Sequence, residues 1–191
     1  MIIDSHNHIG ARKGINFPAE EMIAWMDKSN IDACVVTSQV ETINNDYVGE
    51  MQAKYPDRII GYAVINPWDY SAEEELERCF RDLKLYGLKL NPVRHGYALD
   101  RHEIMDSIFK ICEKYNKPIL VHGQSDMFNM PGKFDEMAET FPNVTLIMAH
   151  IGEPDAIDAA IRVASRRSNV YIDTASVQLS TLKKALKKKT K

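Results

Sequence analysis

Seven short apolar segments recur along this chain at nearly constant spacing, and that rhythm constrains the fold more than any other feature. They are IIDSHNH, DACVVTS, RIIGYAVINP, GLKLNP, KPILVHG, VTLIMAHIG and NVYIDTAS. Their ends fall at His8, Ser38, Pro67, Asn91, His122, His150 and Asp173, at intervals of 30, 29, 24, 31, 28 and 23 residues. Their β-branched content reads as strand. Between them PAEEMIAWMDKSN, a weaker stretch near NNDYVGEMQAKY, SAEEELERCFRDLKLYG, DRHEIMDSIFKICEKYN, KFDEMAETF and EPDAIDAAIRVASRRSN carry helical period. Parallel strands need a crossover of a dozen or more residues, usually a helix, so the repeat predicts successive βα units. Ser71 ahead of acidic residues suits an N-cap, Pro18 a first helical turn, and Gly87 a helix stop.

Seven such units leave a doubly wound sheet or a (β/α) barrel. The polar residues favour the barrel: His8, Lys89 with Asn91, His122, His150 and Asp173 lie at or near the C-terminal ends of strands, where a barrel builds its active site. GARKG, after the first strand, is no glycine-rich phosphate cradle. The expected fold is therefore α/β, a (β/α) TIM-type barrel, incomplete, with seven strands visible and strand eight missing, as a single domain over residues 1–191. Open edges on the first and seventh strands predict self-association into a homo-oligomer.

Composition narrows the partners. The net charge is −3, but positions 183–191, KKALKKKTK, hold six of the 24 basic residues and no acidic one. The remainder has 18 basic against 27 acidic residues, a charge of −9, which gives no general attraction to nucleic acid. The basic tail is expected to be solvated. No apolar run is long enough to span a bilayer, and MIID does not resemble a secretion signal, so a cytoplasmic protein without a membrane partner is expected. Cys34, Cys79 and Cys112 are widely spaced and read as reduced core residues.

The opening MIIDSHNHIG places Asp4, His6 and His8 at alternate positions, which a strand would turn to one face, with His6 and His8 roughly 6.5–7 Å apart. Two imidazoles at that distance can share a metal ion. A lone histidine ending a strand is more often a structural residue, but four of the six histidines occupy strand ends here. A catalytic zinc needs a few fixed protein ligands and one open position, which such a rim can supply.

The ordered set DSHNH, GLKLNP, LVHG, MAHIGEP and NVYIDTAS, spanning residues 2–176, resembles the amidohydrolase-related metal-dependent hydrolases. The branch it resembles includes aminocarboxymuconate semialdehyde decarboxylase and related decarboxylases and hydratases. The resemblance implies a divalent metal, zinc first with manganese or magnesium as alternatives. It implies His6, His8 and His122 as metal ligands, and His150 and His122 as catalytic groups. The family's base is an aspartate ending strand eight, which the spacing places beyond Lys191. Asp173 is the substitute, although its segment resembles the family's seventh strand and a hydrogen-bonded structural role is the commoner expectation. For Lys89 the resemblance offers a carboxylated bridge between two metals, as in some of the wider superfamily. A buried ion pair or a contact to a substrate carboxylate is preferred.

Loops on the same rim are expected to hold a small-molecule substrate through Arg12, Trp68 with Tyr70, Lys89, Asn91, Arg94 and His95, and Met127 with Phe128. Arginine beside aromatic rings suits a small planar carboxylate. His102, between Asp100 and Glu103, is expected to be solvated, and Met22, Met26 and Met137 to pack in the core. The leading expectation is a metal-dependent hydrolase acting on a small, carboxylate-bearing substrate. Its rivals are a decarboxylase or hydratase on the same scaffold, a TatD-like deoxyribonuclease, which the acidic body and MAHIG segment oppose, and a catalytically silent binding or scaffold protein.

Overall fold

The computed structural model describes residues 1–188, so the last three residues of the basic tail lie outside it. The chain packs as two compact units, Met1–Lys89 and Leu90–Lys191. In the first unit the long strands are β1 (Ile3–His8), β4 (Ala33–Thr37), β5 (Ile59–Val64) and β6 (Gly87–Leu90), paired in parallel in that order. Between β1 and β4 lie a small hairpin, β2 (Gly10–Arg12) with β3 (Ile15–Phe17), and helix α1 (Ala19–Ser29). Helices α2 (Asn45–Lys54) and α3 (Ala72–Arg81) follow β4 and β5.

The second unit begins with Leu90, the last residue of β6, and the short helix α4 (Pro92–His95). It continues through α5 (His102–Lys114), β7 (Ile119–Val121), α6 (Pro131–Thr140), β8 (Leu146–Met148), α7 (Ile157–Arg166), β9 (Val170–Ile172) and α8 (Leu179–Lys188). There β7, β8 and β9 pair in parallel in chain order, and the His122 N–H donates to the Leu90 carbonyl at 3.0 Å. Seven parallel strands with helical crossovers form an α/β fold, a TIM-type (β/α) barrel pattern with seven strands described.

Burial explains why the strands form. Every residue of β4, β6 and β7, and five of six in β5, is buried, as expected of parallel strands covered on both faces. The three cysteines are buried and free, and Met22, Met26 and Met137 are core residues. Asn45 is buried at the start of α2, where its amide pairs with both the N–H and the C=O of Val64 and so ties α2 to the end of β5. A buried amide satisfied in this way replaces strand pairing that Val64 would otherwise need.

The local punctuation differs in three places. Ser71 takes the N-cap position of α3 without a side-chain capping bond, whereas Asn44 caps α2 by accepting from the Tyr47 N–H at 3.0 Å. Pro18 is the N-cap of α1, one position before the first helical residue. Gly87 is no helix stop: α3 ends at Arg81, and Gly87 opens β6 against the Tyr62 ring, where a Cβ would come within 2.6 Å. The hairpin was hidden in the loop after the first strand. Its turn is Lys13-Gly14, both at positive φ, 44° and 81°, the conformation that two-residue hairpin loops favour.

Candidate functional site

In the first unit, β1 brings His6 and His8 together, with ring centroids 5.5 Å apart. Simple alternation from Asp4 does not hold, because the pairing with β4 slips by one residue between Asp4 and Asn7. Asp4 instead uses Oδ1 to accept the His6 N–H at 3.3 Å. His8 ends the strand, and its Nδ1 lies 2.9 Å from Thr37 Oγ1 and 3.2 Å from the Ser38 carbonyl. The Thr37 hydroxyl donates its single hydrogen to the Ser38 carbonyl at 2.9 Å, so toward His8 it accepts. Both partners of Nδ1 are thus acceptors, Nδ1 carries the proton, and Nε2 keeps its lone pair.

Lys89 is 1% exposed, and its Nζ lies 2.8 Å from His6 Nε2. An ammonium has only N–H groups to offer, so it donates to the Nε2 lone pair and the His6 proton sits on Nδ1. Burial, then the charge of Lys89, pushes the His8 pKa down to about 4, and its ring is neutral at pH 7. Because the unfolded ring takes a proton near pH 6.5 and the folded ring only near 4, the unfolded state binds more protons between those values. The stability that His8 contributes is complete above pH 6.5 and is lost as pH falls toward 4. Metal-free protein should lose about 3 kcal/mol through this group as pH falls across that window. Urea unfolding of wild type and His8→Gln across it should show a smaller pH slope in the variant.

In the second unit, His122 follows β7 directly and His150 lies two residues past β8, with ring centroids 4.9 Å apart. The expected strand end at His150 is instead a tight turn, Ala149–Gly152, in which His150 and Ile151 adopt φ of 60° and 51°. His150 Nδ1 lies 2.7 Å from the Ala175 carbonyl, which fixes the proton on Nδ1 and the lone pair on Nε2. Asp173 follows β9, is 4% exposed, and accepts the Ala175 N–H on Oδ1 at 2.6 Å. One residue, Ala175, therefore holds both groups, the imidazole through its carbonyl and the carboxylate through its N–H.

The remaining candidates are placed less centrally. Arg12 sits in the hairpin, exposed and paired with Glu41 at 3.2 Å. Asn91 caps α4 by accepting from the Arg94 N–H, while the Arg94 side chain is exposed and His95 partly buried. Trp68 is 44% exposed, and Tyr70 and Met127 are more so, with Phe128 half-buried. His102 faces solvent yet is not unengaged: Asp106 at 2.7 Å, with Glu136 at 3.7 Å, raises its pKa. Sequence reading passed over Thr37, Ser38 and the Ala175 carbonyl, which orient the rings. Thr37-Ser38 ends the second strand, so the strand-end rule that found the histidines could have found it.

Neutral imidazoles with unprotonated Nε2 and a buried carboxylate are the donors that zinc and similar divalent ions take. The donor chemistry therefore fits a metal. At His6, a cation on Nε2 would displace the Lys89 N–H.

No curated protein sequence matches the chain. Among solved structures, an uncharacterized TIM-barrel protein from Bordetella bronchiseptica superposes with a TM-score of 0.75 at 18% identity, covering 91% of this chain and 74% of that one. The 5-carboxyvanillate decarboxylase of Sphingomonas paucimobilis gives 0.70 at 16% identity, covering 97% and 84%. The 4-oxalomesaconate hydratase of Rhodopseudomonas palustris gives 0.70 at 16% identity, covering 97% and 77%. At such identities the likeness concerns the fold. A family model described as amidohydrolase matches residues 3–185. Because that match takes in all but a few residues at each end, the protein belongs to the amidohydrolase family.

Proposed function

We propose that this chain is a metal-dependent enzyme that binds one divalent cation, zinc first, through imidazoles and a carboxylate at the strand ends. It acts on a small substrate bearing a carboxylate. By the family resemblance His6 and His8 would supply donors from β1, and His122, His150 and Asp173 donors or catalytic groups after β7, β8 and β9. The observation that carries the reading is the tautomer state: the bonds at His6, His8 and His150 all leave the lone pair on Nε2. A structural histidine has no need of that common choice.

A bound divalent ion supplies Lewis acidity at the reacting carbonyl or carboxyl group. Around it, Lys89 offers a buried positive charge to a substrate carboxylate. Asp173, held at Oδ1 by the Ala175 N–H, takes and returns a proton at Oδ2. Arg12, Arg94, His95, Asn91 and Trp68 are the proposed substrate contacts of the surrounding loops.

Hydrolysis and non-hydrolytic cleavage or hydration use the same donors. The second reading, a decarboxylase or hydratase, is favoured by the names of two structural relatives, which act as a decarboxylase and a hydratase. The test is a panel of aromatic and unsaturated carboxylates and their esters, amides and lactones, offered to zinc-, manganese- and magnesium-loaded protein. Metal-dependent turnover that a chelator abolishes is expected, and carbon dioxide release against ring-opened or cleaved product decides between the readings. Turnover indifferent to chelation would count against both.

A further inference from the structure

Glu153 stands three residues past His150, at the end of a turn with two consecutive left-handed non-glycine residues. Such conformations are unfavourable for residues with a Cβ and hardest for a β-branched residue such as Ile151. They persist only where neighbouring structure over-determines them. Here the Glu153 N–H donates to the His150 carbonyl at 2.9 Å, the Ser125 N–H to the Glu153 carbonyl at 3.1 Å, and the Gly152 N–H to the Gly123 carbonyl at 2.8 Å.

The Glu153 side chain reaches the other way. Its Oε1 accepts from Thr181 Oγ1 at 2.8 Å and from the Gln178 N–H at 3.4 Å, at the start of α8. A carboxylate there also meets the positive end of the helix. The segment joining Asp173 to α8 then returns to the histidine, since Ala175 accepts from His150 Nδ1 and donates to Asp173 Oδ1. His150, Glu153, the first turn of α8 and Ala175 thus close a ring of bonds.

We propose that Glu153 is a positioning residue: by anchoring α8 it fixes Ala175, whose carbonyl holds His150 in its Nδ1-protonated form and whose N–H holds Asp173. Its consequence for metal rests on the function proposed above; its consequence for the His150 ring does not.

The test compares Glu153→Ala with Glu153→Gln, which keeps a carbonyl acceptor for Thr181 and Gln178, in the full chain. Three quantities are measured: zinc affinity by chelator competition, ring nitrogen shifts of His150 in metal-free protein, and the urea midpoint. In Glu153→Ala zinc affinity should fall about 10- to 100-fold, as for other groups that orient a ligand, and the His150 ring should become a mixture of tautomers. Glu153→Gln should keep both properties. A Glu153→Ala protein with a lower urea midpoint but wild-type zinc affinity and ring shifts would overturn the proposal and leave Glu153 a helix cap. If wild type binds no stoichiometric zinc, the metal reading fails, and the ring shifts alone decide on Glu153. Thr181→Val, which removes the shorter bond from the other side, serves if Glu153→Ala does not fold.

Discussion

Protein in which His6 and His8 are both replaced by alanine is expected to purify without stoichiometric zinc, and to bind added zinc about 10,000-fold more weakly than wild type. The size follows from what is removed. Loss of a residue that merely orients a ligand costs 10- to 100-fold, so loss of two donors should cost at least the square of that upper range. The double variant should remain folded, because neither ring is fully buried and the deeper supports of β1 are its backbone bonds to β4. It should also shed the pH-dependent loss of stability below 6.5 that the neutral, partly buried His8 imposes. His102→Ala is the control, since that ring is bound to Asp106 on the surface between α5 and α6 and should leave zinc content unchanged. Elemental analysis of the three proteins decides. Equal zinc in wild type and double variant would remove the β1 pair from any metal site, and with it the main support for the proposed chemistry.

Much of this fold was legible because a parallel βα repeat must write itself twice, once as buried apolar strands and once as spacing. All seven expected strands form, and so do the six helical stretches, down to the weak one at Asn45–Lys54, which Asn44 caps and Asn45 anchors. The failures share a cause: each feature depends on a contact rather than a period. Nothing in the pattern of IIDSHNH announces the slip in pairing between Asp4 and Asn7, which is a property of β1 against β4. Gly87 looked like a helix stop because glycine ends helices, but it is set by the Tyr62 ring on the neighbouring strand. The turn at His150 interrupts an apolar run that alone reads as continued strand. The histidines themselves were visible as strand-end residues. Their tautomers were not, because these depend on Thr37, Lys89 and the Ala175 carbonyl, which the chain brings in from 25 to 83 residues away.

Gly123→Ala should be the most disruptive single methyl group added to the second unit. Gly123 follows His122, and a Cβ there would meet Met148 Cγ at 2.6 Å, the Ala149 carbonyl oxygen at 2.8 Å and the Phe134 ring at 3.2 Å. The Met148 contact lies near the root of the side chain and the Ala149 contact is backbone, so neither can yield by a rotamer change alone. The strand ends of β7 and β8 must part. Overpacking of this kind costs about 3 kcal/mol at the upper end of its usual range. The displaced backbone leads into the left-handed turn of His150, whose Gly152 N–H is bonded to the Gly123 carbonyl, so zinc affinity should fall together with stability. Gly132→Ala supplies the opposite sign. It lies in α6 with nothing within 4 Å of its would-be Cβ, where alanine should stabilise by about 0.5–1 kcal/mol. Urea midpoints for the two variants should therefore move in opposite directions from wild type. A Gly123→Ala protein as stable as wild type would mean that the ends of β7 and β8 are not packed as closely as these distances require, and that the turn carrying His150 has room to move.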